Sequence, residues 1–64
     1  MSTIAQAQEL EAQHNAGQLS SSEYKELLED LQHTAAVEEA AGDMAKLTQI
    51  HQVIEGLKVA AGLV

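Results

Sequence analysis

The chain of 64 residues contains no cysteine, no proline, no phenylalanine, no tryptophan and no arginine. Without cysteine there is no disulfide and no thiolate metal site, so the fold rests on non-covalent packing, in keeping with a reducing compartment. Without proline no helix is forced to kink or stop. A single aromatic residue, Tyr24, leaves the core to Leu, Ile, Val, Met and Ala. Such a core is thin, because a chain this short buries only roughly 60% of the surface its unfolded form exposes. Small scaffolds of this kind are commonly completed by a metal, a disulfide or oligomerisation. With cysteine absent and no metal set in view, self-association or docking on a partner is the expectation. Positive charge is also scarce: three lysines stand against ten acidic residues, for a formal net charge of −7. Binding to a nucleic-acid backbone needs a cationic stripe that releases counterions, so direct binding of that kind is not expected. No run approaches the ~20 apolar residues of a membrane span, and residues 1–16 hold neither the basic segment nor the apolar run of a secretory signal. These absences favour a soluble, cytoplasmic protein.

What is present is helix-forming. Ala, Gln, Glu and Leu dominate and no strand pattern appears, so the expected fold is all-α, a single domain over residues 1–64 with helices near 3–16, 21–40 and 43–61. The first stretch has Ser2 or Thr3 as its cap and a weak stripe of Ile4, Ala7 and Leu10, with His14 one turn further on. The second is cleaner: Tyr24, Leu27, Leu28, Leu31 and Ala35 share one face at helical spacing. The third places Leu47, Ile50, Ile54, Leu57 and Ala61 in a three-four rhythm like a coiled-coil seam, with Val53 and Met44 on its flanks. Between the second and third, Gly42 either ends one helix while Asp43 caps the next, giving a small three-helix unit, or sits inside one long helix, giving a helical hairpin. The shift of apolar face between Leu31 and Leu47 favours the interruption. The apolar segment 59–64 reads as a frayed end or as an insertion into a neighbour's groove, with fraying the commoner behaviour of termini.

The most specific element is the joint between the first two helices. Gly17 can adopt the left-handed conformation that closes a helix, and Ser20 with Glu23 matches the S-x-x-E capping box. Leu19 and Tyr24 have the spacing of a hydrophobic staple around that cap. The set Leu10, His14, Ala16, Gly17, Leu19, Ser20, Glu23, Tyr24, Leu27 and Leu28, within residues 4–31, resembles the short C-terminal domain motif SHOCT, a helical hairpin. That resemblance implies an oligomerisation or docking module with no catalytic residues to carry over. The chain departs from the motif's common form in carrying Glu29 and Asp30 where the second helix often has lysine. Very small size, acidity and an all-helical build also resemble small phage-encoded structural or host-directed proteins, of which a structural one would be a virion component.

Candidate chemistry is sparse. Glu11-x-x-His14 and Asp30-x-x-His33 are carboxylate–histidine pairs of the type that hold two irons in helical bundles. His14 points along the apolar side of its helix whereas His33 lies opposite Leu31, so the pairs do not converge. His51 is expected at a partly buried boundary, and His14 or His51 at a packed interface would make it pH-sensitive. The serines lack a glycine-framed elbow and a positioned histidine–acid partner, and the dispersed glycines form no phosphate loop. No catalytic, cofactor or metal site is expected, and the protein reads as a non-enzyme. The leading expectation is a helical interaction or oligomerisation module, a viral structural or assembly protein, that associates with itself or a larger assembly through Leu27, Leu28, Leu31, Leu47, Ile50, Ile54 and Leu57. The alternative is an acidic, DNA-mimic-like regulator whose anionic face from Glu23 to Asp43 binds a basic surface on a host protein.

Overall fold

Each of the three helices opens on a short polar side chain that satisfies one of its free N-terminal amides. Ser2 Oγ accepts the Ala5 N–H at 3.2 Å, Ser20 Oγ that of Glu23 at 3.1 Å, and Asp43 Oδ1 that of Lys46 at 3.0 Å. The computed structural model, which describes residues 2–63, accordingly has α1 over Thr3–Asn15, α2 over Ser21–Val37 and α3 over Met44–Ala60. Among the described residues there is no strand.

Glycine closes α1 and α3 in the same way. Gly17 has φ +79°, its N–H donates to the His14 carbonyl at 3.1 Å, and the Gln18 N–H reaches the Gln13 carbonyl at 2.9 Å. That pair of bonds is the Schellman motif. Gly62 (φ +73°) repeats it, with Gly62 N–H on Val59 and Leu63 N–H on Lys58. The segment after α3 is therefore closed and folded back, with Leu63 packed against the core. Fraying does not describe it through Leu63; Val64 lies outside the described residues.

The joint at Gly42 is a true interruption. The Ala40 N–H bonds the Ala35 carbonyl at 2.7 Å, and the Asp43 N–H bonds the Ala40 carbonyl at 3.0 Å. Gly42, at φ +77°, occupies the third position of that turn, where a type II turn calls for glycine. α2 thus ends three residues earlier than the pattern to residue 40 suggests, because the chain tightens into the turn at Glu38. The single long helix through Gly42 does not form, and the three-helix arrangement does.

The core consists of Ala7 from α1, Tyr24, Leu28 and Ala35 from α2, Ala40 from the turn, and Ile50 and Ile54 from α3. Leu10, Leu19, Leu31, Leu47, Leu57, Ala61 and Leu63 pack around it. Every helix contacts the other two. Three positions depart from the expected stripes. Leu27 is 38% exposed and Met44 is 74% exposed, whereas Lys58 is only 6% exposed. Leu27 sits roughly 100° round α2 from Leu28, and a helix contacted on two sides cannot cover its whole apolar arc. Lys58 is one turn beyond Ile54 on the buried line of α3, so its stem is enclosed although its amine is charged.

Candidate docking face

Two acidic residues anchor the helices to one another and use up the cations of α3. Glu39, just past α2, accepts hydrogen bonds from the Thr3 N–H (3.1 Å) and the Thr3 hydroxyl, and pairs with Lys46 at 3.8 Å. Its carboxylate thereby sits at the amino end of α1, where the helix dipole favours an anion. Lys58 Nζ lies 3.4 Å from Glu29 of α2 and 3.5 Å from Glu55 of its own helix, with its side chain 8% exposed. Burial of a cation is tolerable only with such partners. The reading from sequence missed this cluster. Its signal was present, since Lys58 follows Ile50 and Ile54 at four-residue intervals, but a charged residue does not register in an apolar stripe.

At the corner, the His14 ring stacks on Tyr24 with centroids 4.4 Å apart and planes 11° from parallel. His14 Nε2 is 3.4 Å from Ser21 Oγ, tying the end of α1 to the start of α2 and supplying a histidine neighbour that the sequence did not reveal for the serines. Ser20 and Glu23 form the capping box in full, the Glu23 carboxylate accepting the Ser20 N–H at 3.0 Å. The backbone N–H of Ser20 and then its hydroxyl hold the Glu23 carboxyl below its ordinary range. Leu19 and Tyr24 both pack into the core, bracketing the cap. The Tyr24 hydroxyl is buried without a hydrogen-bond partner among the described residues. Its pKa is raised, first by burial and second by the charge of Glu11.

The remaining histidines are apart from His14. His33 and His51 line one open cavity of about 530 Å³ with Glu29, Gln32, Ala36, Leu47 and Thr48. His51 is exposed, rather than at a buried boundary, and contacts Gln32 across the α2/α3 seam. It follows Ile50 by one position, which turns it about 100° out of the buried line. Among the described residues no three of His, Asp and Glu stand together as metal ligands, and no helix is long and apolar enough to cross a membrane.

Of the seven apolar residues expected to form an interaction surface, Leu28, Ile50 and Ile54 serve the chain's own core. Leu31, Leu47 and Leu57 are half-buried around it, and Leu27 is the one that stays exposed. Leu27 lies in a groove between α1 and α2 on the side away from α3. The middle of this groove is a concavity of about 430 Å³, lined by Gln6, Glu9, Leu10, Gln13, Leu27, Asp30, Leu31 and Thr34. Leu27 and Asp30 also line a smaller hollow toward Glu23 and Glu26. Gln6, Leu31 and Thr34 also line one toward Thr3, Glu38 and Glu39. Shared walls make the three hollows one continuous seam along α2 with an apolar middle. Its polar groups are carboxylates, amides and threonine hydroxyls in an open setting.

Comparison with protein-family models, with curated proteins and with solved structures finds no match for this chain.

Proposed function

We propose that this chain is a non-enzymatic helical docking module that binds another protein along the outer seam between α1 and α2. The observation that carries this reading is the exposed Leu27, which, with Leu10 and Leu31, gives the seam an apolar middle on a chain whose other leucines pack in or against its own core. Apolar grooves between helices are recurrent protein-binding sites. The resemblance of the corner to the SHOCT motif points to the same class of role, and assembly of a viral particle is one setting in which a small acidic module of this kind would act. The test is quantitative affinity enrichment from cells that express the protein, with the wild-type chain and Leu27→Arg as baits of verified helicity. A partner retained by the first and lost by the second supports the reading; equal recovery by both overturns it.

Self-association is a second reading, favoured by exposed Val37 (62%), Met44 (74%) and Val59 (63%). Sedimentation across a wide concentration range tests it. A mass above 6.8 kDa that falls on Met44→Gln or Val59→Gln supports an assembly through these residues; a folded monomer throughout overturns it.

A further inference from the structure

The seam between α1 and α2 is apolar in the middle and acidic along its edges. Glu9, Glu26, Asp30 and Glu38 are exposed along it, and none has an ion-pair partner among the described residues. No lysine lines it. Lys46 and Lys58 are engaged by Glu39, Glu29 and Glu55, and Lys25 lies roughly 160° round α2 from Leu27. The unbalanced charge of the molecule is thus concentrated beside its exposed apolar groove.

We infer that the occupant of this seam is an amphipathic helix of a partner protein, with leucine-like residues on one face and lysine or arginine along both borders of that face. The inference rests on the reading of the seam as a docking face and adds the chemistry of the partner. Helical backbone groups on either wall are already bonded within α1 and α2, so the seam offers side chains and no strand edge; an extended peptide gains no backbone ladder there. From Glu23 to Glu38 the wall runs about 22 Å at a rise of about 1.5 Å per residue, enough for about four turns of a docked helix. A partner leucine at every third or fourth position meets Leu10, Leu27 and Leu31, while its cations reach Glu9 and Asp30 on opposite walls. A second copy of this chain is disfavoured as the occupant, because it would set the same unneutralised carboxylates against one another.

The test titrates the full chain with three synthetic peptides of about 15 residues, a length set by the seam. One is amphipathic with leucine and lysine, one has the same leucines with glutamate for lysine, and one keeps the lysines but has serine for leucine. Binding is followed by calorimetry and by amide chemical-shift mapping at low and high salt. The inference expects the leucine–lysine peptide to bind, shifting residues around Glu9, Leu10, Leu27, Asp30 and Leu31. The other two should bind more weakly by at least about tenfold. Leu27→Ala should weaken the binding by about tenfold. Asp30→Asn, an exposed change that spares the fold, should weaken it less and flatten its dependence on salt. Equal binding of the acidic and basic amphipathic peptides in the seam overturns the charge assignment while leaving the docking face intact. Equal binding of the lysine–serine peptide, or shifts confined to other surfaces, overturns the inference outright, as does the absence of binding. The docking reading is then decided separately by the Leu27→Arg enrichment, which uses no peptide.

Discussion

Along the side of α2 that meets α3, Glu29 is answered by Lys58, and Glu39 just beyond the helix is answered by Lys46 and by the amino end of α1. Along the side that faces outward beside α1, Glu26, Asp30 and Glu38 have no cation among the described residues, and Leu27 beside them is left exposed. One helix therefore has a sealed flank, neutralised and apolar within, and an open flank where neither charge nor apolar surface is balanced. Groups already paired inside the chain have nothing left to offer a partner, which is why the proposed docking face is the open flank. On the open flank both kinds of interaction remain to be made.

The strongest way to break this contrast is truncation of neighbouring leucines. Leu28→Ala, at a fully buried position, is expected to cost about 2–5 kcal/mol, whereas Leu27→Ala should cost under about 1 kcal/mol. Urea or thermal denaturation followed by circular dichroism measures both, and similar losses would mean that the two flanks are equally packed. Next in size is the charge on the sealed flank. Lys58→Ala should destabilise by about 1–3 kcal/mol through lost packing and two carboxylates left facing each other, and Lys58→Met should recover most of the packing part. The exposed change Asp30→Asn, on the open flank, should stay within about 0.5 kcal/mol of wild type.

The corner that sets the two flanks apart is tested by Ser20→Ala, which removes the cap of α2 and should cost about 1 kcal/mol. Because the Glu23 carboxyl is held below its ordinary value of 4.5, the stability it contributes is present above that value and lost as pH falls through it toward the folded value. Ser20→Ala should shrink that acid dependence in denaturation curves taken from neutral to low pH. The last test is at Tyr24. Its hydroxyl has no partner among the described residues, so Tyr24→Phe should leave stability within about 1 kcal/mol or raise it. Burial raises the Tyr24 pKa above 10.0, so the folded state resists ionisation; stability present below that value is lost as pH rises through it. Alkaline unfolding should therefore begin later in Tyr24→Phe than in wild type.

The turn and cap of the corner from Gly17 to Tyr24 were legible because their bonds close within five positions, Gln18 to Gln13, Glu23 to Ser20 and Ser20 to Glu23, whereas the contact of His14 with Ser21, seven positions apart, was not. The break at Gly42 was legible as one of two alternatives, and the turn bond from Asp43 to Ala40 is what chooses it. Less visible were contacts across the fold. Glu39 meets Thr3 at a separation of 36 residues and Lys58 meets Glu29 at 29, and nothing in the local pattern couples those positions. The seam was hidden for a related reason: Leu27, Leu28 and Leu31 form one apolar arc in sequence, and only the placement of the neighbouring helices divides it.

The sequence by itself determined that the chain is helical, how the corner from Gly17 to Tyr24 joins its first two helices, and that acidic charge would dominate its surface. Those properties follow from propensity, capping and composition, which act within a few residues. Only the tertiary structure decided which leucine is covered, which lysines are consumed and which carboxylates stay unpaired. Two neighbouring helices cover part of the circumference of α2, and Leu27, with Glu26 and Asp30 beside it, lies at the border they leave open.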